Sequence, residues 1–326
     1  MTDTLLQAYA PFLLWTGLGV LLLNVLPDSF PRFLGRSLYW VGVPLQIFTL
    51  ARQTDLSSRI ELAPFVTIAT LLGGLLLSWL VLRALKPLTP SLASDSTSEE
   101  DQSLHPWQLP SRRGSFILSS MIGNTGFVGL AIAPTFVPDD YVGWIIFYSV
   151  TNNIVGTYGI GVFLASYYGR SKQTNHWLIQ VRDVLTVPSL WAFMLGSLTR
   201  PVPLPTEVEA TLHASLWVIV PSALLLMGMR LRQLKGWQSL RTAIVPAVLK
   251  VLLLPLLVGI VTTLMGLPVE PRLALVLMSG MPTAFAGLIL AEEYELDRDL
   301  IASSIVVSTA LLLLAIPLWL LLFHHV

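Results

Sequence analysis

The sequence predicts an all-α membrane protein: ten transmembrane helices in two inverted five-helix repeats, with the fourth and ninth helices broken near their middles. Three observations carry this. The 326 residues are 54% hydrophobic and only 12% charged, about half the charge of soluble domains, and the mean hydropathy is +0.72. The apolar residues gather into ten runs, most of them near the ~20 residues needed to cross a hydrocarbon core of about 30 Å. Two motifs recur between runs that stand five apart in order.

The first run, 9–26, lacks the basic start and small-residue cleavage site of a secretory signal and exceeds a signal core in length, so it reads as a retained span. The others lie at 37–53, 61–85, 114–136, 141–168, 183–199, 207–229, 240–265, 272–293 and 299–323. Most are apolar all round, as expected for helices between lipid and packed protein. They lack the short alternating pattern of a membrane barrel. Between the third and fourth, residues 87–113 are polar and rich in Ser and Pro, with an acidic run at 94–101. Such a composition buries too little surface to fold and reads as a flexible linker. The expected division is a first repeat at 1–168, containing this linker, and a second at 169–326. Asp139 and Asp140 are expected to cap the fifth span, and Glu207 and Glu209 suit the first turn of the seventh.

Orientation follows from the basic residues. Of the nineteen Lys and Arg, fourteen fall in the connections on one side of the ten spans and four on the other, with Lys250 inside a span. The richer side is cytoplasmic, so both termini are expected outside the inner (plasma) membrane. The repeat itself is read from two matches. Trp40-Val-Gly-Val-Pro44 in the second span recurs as Trp217-Val-Ile-Val-Pro221 in the seventh, and Gly123-Asn-Thr-Gly-Phe-Val-Gly-Leu130 in the fourth recurs as Met281-Pro-Thr-Ala-Phe-Ala-Gly-Leu288 in the ninth. An odd number of spans per half turns the second half upside down, as in inverted-repeat carriers.

The chemistry gathers at the broken spans. Gly123, Gly126 and Gly129 surround Asn124 and Thr125, and Pro282 precedes Thr283. Proline removes a donor and clashes with the preceding turn, and glycine permits an unwound link. In a membrane such breaks persist only where protein or a water-filled cavity satisfies the freed groups. Two of them at matching positions point to a carrier's binding site, because half-helix N-termini present free N–H groups suited to a carboxylate. The competing reading is a packing kink.

Lys250, ten residues into the eighth span, stands about 15 Å deep. A charge there costs at least about 2.5–3.5 kcal/mol. It is either a counter-charge for an anion or a group whose protonation couples to movement, or it snorkels to the surface on its stem. Asn152 and Asn153 in the fifth span bond a substrate or a neighbouring helix, and Gln46, two residues after Pro44, is placed by the same reasoning in the cavity.

Enzyme chemistry finds no support. The chain has no cysteine, its five histidines are scattered, and no phosphate-binding loop of the P-loop type occurs. No cofactor is expected. A net charge of zero gives no reason to expect nucleic acid.

The stretch 123–130 resembles the fourth-helix motif of the auxin efflux carrier family. The stretch from Met281 through Ala291-Glu-Glu-Tyr-Glu-Leu-Asp297 to Ser308-Thr309 is similar to its ninth-helix motif, and Val43-Pro44 to its second. The resemblance covers essentially the whole chain. It implies a crossover of helices 4 and 9, an elevator-like movement of a transport half against a scaffold half, and small carboxylates such as auxin, malate and malonate as substrates. Asn124 and Pro282 would then sit beside the substrate. Gly123 stands where plant members carry proline, and Gly129-Leu-Ala131 replaces Gly-Leu-Pro. The long loop of plant exporters is missing, so a bacterial permease is the implied type. The expected site residues are Asn124, Thr125, Gly126, Pro282, Thr283, Lys250, Asn152 and Gln46. The expected partners are a small organic anion, the lipid bilayer and a second copy of the chain. The alternative is a membrane receptor or scaffold that binds a small ligand and moves nothing.

Overall fold

In hydrocarbon, a helix is the economical way to keep every main-chain N–H and C=O paired, and helices dominate the described residues of this chain. The computed structural model describes residues 2–27, 29–53, 61–85, 107, 109–169, 177–233 and 237–323. Among them there is no strand, only one isolated bridge. The helices are α1 (Thr2–Leu22), α2 (30–53), α3 (Leu62–Leu85), α4 (Pro110–Met121), α5 (Thr125–Phe136), α6 (142–168), α7 (Trp177–Leu185), α8 (Pro188–Thr199), α9 (Thr206–Arg232), α10 (237–264), α11 (Val269–Ser279), α12 (Phe285–Glu293) and α13 (Arg298–Phe323). Among the described residues, five uninterrupted stretches are long and apolar enough to cross a membrane: Leu5–Leu22, Leu62–Leu85, Thr206–Arg232, Leu240–Leu264 and Arg298–Phe323.

Several boundaries differ from the sequence reading. Most of the expected linker, 86–106 and 108, lies outside the described residues, but 110–113 already belong to α4. The run 183–199 is not one helix: Val187, held extended at φ −69°, ψ 121° ahead of Pro188, separates α7 from α8. Asp139 and Asp140 form a 3₁₀ turn ahead of α6, whose N-cap position falls to Tyr141 without a side-chain bond. The longer helices also carry widened, π-type turns at Leu38–Gly42, Asn152–Gly161 and Leu249–Leu253. Two of these spread the helix just ahead of Pro44 and Pro255, whose rings press on the carbonyl four residues back.

The helices sort into two packing groups. In the first, α1 lies along α9 and α8 along the second half of α2, with α9 also touching α2. Glycines make these seams close: a Cβ on Gly228 would collide with the Thr16 carbonyl, and one on Gly19 with that of Leu225. The second group holds α3, α4, α6, α10, α11, α12 and α13, with α10 on α13 and α11 as its most extensive contacts; α7 packs on the end of α6, and α5 touches α1 and α9 of the first group as well as α6 and α11 of the second. Large apolar side chains cover the outside of both, among them Trp40 and Trp217 of the repeated motif, 55% and 83% exposed. Soluble monomers do not display apolar surface on this scale. Lipid does not penalise it.

Polar clusters mark the two ends of α9. At its start, Arg52 donates to the carbonyls of Thr199 and Val202 and pairs with Glu209 at 3.7 Å. At its finish, Arg230 pairs with Glu292 at 3.1 Å. The 27 residues between rise about 40 Å, the thickness of a bilayer with its interfaces.

Candidate functional site

α4 ends where Ile122 turns extended (φ −91°, ψ 122°), and α12 begins after an extended Ala284 (φ −66°, ψ 133°). The two unwound links lie antiparallel, Gly123 against Thr283. They exchange main-chain bonds: Asn124 N–H donates to the Pro282 carbonyl at 2.7 Å, and Ala284 N–H to that of Ile122 at 2.9 Å. The sequence explains the close approach. Pro282 has no N–H to continue a helix, a Cβ on Gly129 would press on Met278 at 3.0 Å, and one on Gly123 would meet Lys250 at 3.0 Å and the Met281 carbonyl at 3.3 Å.

Side chains from four neighbouring helices secure the crossing. Asn152 of α6 donates to both the Gly123 carbonyl and Thr125 Oγ1 at 3.0 Å. Ser308 of α13 accepts from Thr283 N–H at 3.0 Å, while Thr283 Oγ1 donates to the Ser119 carbonyl at 2.9 Å. Gln46 of α2, the contribution of the first packing group, donates to the Gly126 carbonyl at 2.6 Å. Lys250 of α10 is 1% exposed and donates to the Ser279 carbonyl at 2.5 Å, so its ammonium ends inside the protein and not at a surface.

A small cavity of about 20 Å³ lies between the two packing groups, room for little more than one water. Its walls are Leu38, Tyr39, Val43 and Gln46 on one side, and on the other Gly123, Asn124, Gly126, Phe127, Asn153, Tyr158, Ala284, Phe285, Ala286 and Ile289. Both half-helix N-termini therefore open into it. Among the described residues, the main-chain N–H groups of Gly126, Phe127, Phe285 and Ala286 donate to no main-chain acceptor outside their own helices. Tyr39 and Tyr158 meet edge-on above it, ring centroids 5.9 Å apart. Tyr39 and Ile289 also border a wider vestibule of about 370 Å³ that carries Arg36, Asp183, Glu292 and Glu293.

Of the residues expected from sequence, Asn124, Gly126 and Gln46 line the cavity, while Thr125, Asn152, Pro282 and Thr283 form the framework behind it. Lys250 is not among the lining residues. Tyr39, Tyr158, Phe127, Phe285 and Ile289 line it and are not among the expected residues; Asn153, weighed beside Asn152 for a substrate or a neighbouring helix, lines it too. Only Asn153 carried a signal, as a second amide inside a span. Among the described residues, no group of three His, Asp or Glu is placed to hold a metal.

Residues 108–320, which include both broken spans, match the model of a family described as membrane transport protein. The chain belongs to this family. It is a multi-pass membrane transporter and not an enzyme, and the family is the one to which the motifs at 123–130 and 281–297 are similar. An uncharacterized transporter of Methanothermobacter thermautotrophicus is 28% identical over 323 residues, 98% of this chain and 97% of its own. An uncharacterized transporter of Methanocaldococcus jannaschii is 25% identical over 211 residues, 63% of this chain and 67% of its own. A membrane transport protein has a small-molecule substrate, and the crossing is the candidate place for it.

Proposed function

We propose that the protein is a secondary carrier for a small organic anion of the carboxylate class, working by alternating access at the crossing. The observation that carries this reading is that Gly126, Phe127, Phe285 and Ala286, whose N–H groups have no main-chain acceptor outside their own helices, line one cavity at two helix N-termini. A carboxylate there gains charge-assisted bonds worth about 1.5–3 kcal/mol each and the positive ends of two helix dipoles. Asn124, Asn153 and Gln46 supply amides to orient it, and the rings of Tyr39, Phe127 and Phe285 take an apolar remainder. Thr125, Asn152, Pro282 and Thr283 act by holding the two N-termini on target.

The cavity is too small for a carboxylate with a carbon skeleton, so binding requires the two packing groups to part. Tyr39 and Ile289 form the partition between cavity and vestibule. By the bias of the basic residues the vestibule is cytoplasmic and both termini lie outside the inner membrane. The group with α1, α2, α8 and α9 then serves as scaffold, and the group bearing the crossing moves against it. Two inverted repeats, 1–168 and 169–326, give such a carrier its two faces.

Purified protein in liposomes should move at least one mono- or dicarboxylate from a panel, and Asn124→Ala should slow that flux by at least about tenfold, the equivalent of one ~1.4 kcal/mol interaction. No flux for any carboxylate removes the proposal. Binding without flux would point to a receptor.

A further inference from the structure

A membrane-buried ammonium needs a partner, and the one that Lys250 has is unusual. It sits in the widened turn Leu249–Leu253 of α10. Its recorded hydrogen bond goes to a main-chain carbonyl, that of Ser279, the last residue of α11. No carboxylate pairs with it among the described residues. The same ammonium borders the other half-helix: Gly123 follows the end of α4 by two residues, and a Cβ there would meet both Cε and Nζ of Lys250 at 3.0 Å. The charge thus stands where the C-terminal ends of α4 and α11 come together, while the cavity lies at the N-termini of α5 and α12.

Each helix C-terminus carries the equivalent of about half a negative charge on carbonyls that lack helical donors. Bringing two such ends together in a medium without water creates a local demand for positive charge. In carriers with interrupted helices, these carbonyl ends are where Na⁺ or H⁺ is coordinated.

We propose that Lys250 is a covalently tethered cation that fills this alkali-ion position, so that the crossing is complete without any coupled metal ion. Lys250 is then a positioning residue: it holds the C-terminal ends of α4 and α11, and through them aims the opposite N-termini at the cavity. A counter-charge for a bound anion would stand in the cavity wall, and a snorkelling side chain would reach a surface; the Lys250 ammonium does neither. The inference rests on the crossing alone and does not depend on what is carried.

The test is thermal unfolding of the purified full-length protein in choline chloride against NaCl, KCl and LiCl at equal ionic strength, a readout that needs no substrate. Wild type and Lys250→Arg should melt at one temperature in all four salts, to within about 1 °C. Lys250→Ala and Lys250→Gln should melt about 4–8 °C lower in choline, the loss of one charge-assisted bond, and recover much of that loss in Na⁺ or Li⁺. Insensitivity of both neutral variants to every alkali ion would overturn the proposal. If neither variant accumulates, wild type still decides, because a midpoint that requires Na⁺ refutes a built-in cation and indifference supports it.

Discussion

The two interruptions do the same mechanical job with different chemistry. The α4–α5 link is glycine-rich and offers the cavity polar groups, Asn124 with Asn153 and Gln46 close by. The α11–α12 link is built on Pro282 and offers Ala284, Phe285 and Ala286, which have no polar side chain at all. Their supports differ in the same sense. Amides hold the first, Asn152 with two donor bonds and Gln46 with one, whereas the second rests on the Ser308 hydroxyl, the Thr283 hydroxyl and the Lys250 ammonium. Breaking a helix therefore dictates little about side-chain polarity. What both links must supply is aligned N–H groups, and selectivity can be built into one side only.

That contrast is open to attack at decreasing expense to the protein. Gly123→Val should be the most damaging change, because its Cβ presses on Lys250 and the Met281 carbonyl; an overpacking loss of about 3 kcal/mol is expected. Ala284→Val on the other link should cost about 1 kcal/mol. Thermal unfolding of both measures the difference, and equal losses would mean the links are interchangeable.

Asn152→Ala orphans a buried carbonyl and a hydroxyl and should cost about 2–3 kcal/mol, whereas Ser308→Ala orphans one N–H and should cost about 1–2 kcal/mol. The ranking sharpens the comparison if it holds in denaturant as well as heat. Asn153→Ala should leave the melting temperature alone and weaken carboxylate binding about 3–10-fold, the value of one hydrogen bond. A drop in stability without a drop in affinity would exchange the roles assigned to the two asparagines. Arg230→Ala, far from both links, removes a half-buried ion pair with Glu292 and should change stability by less than about 1 kcal/mol, less still in high salt.

The interruptions are legible in the sequence because glycine and proline act through the backbone, and backbone effects survive any change of neighbours. Gln46, Asn124 and Gly126 can be read for a related reason: polar or backbone-freeing residues inside an apolar span need an explanation. The division of 183–199 at Val187 carried a visible cue, since a residue before proline avoids the helical region. Which of Asn152 and Asn153 faces the cavity cannot be read. Neighbours on a helix point about 100° apart, and the wide turn at Asn152–Gly161, which has no proline to announce it, resets the phase. Tyr39, Tyr158 and Ile289 are silent as well, because an apolar or aromatic residue in an apolar span says nothing about which face it takes.

The paired bonds Asn124–Pro282 and Ala284–Ile122 carry one more consequence. To bend either link alone, the protein would have to open two main-chain bonds in a dry interior, at a few kcal/mol for each group stranded. Four short rods stitched at their waists thus shift together or stay put. Under the function proposed above, cargo held at that stitch would ride with its seat instead of sliding along a fixed wall.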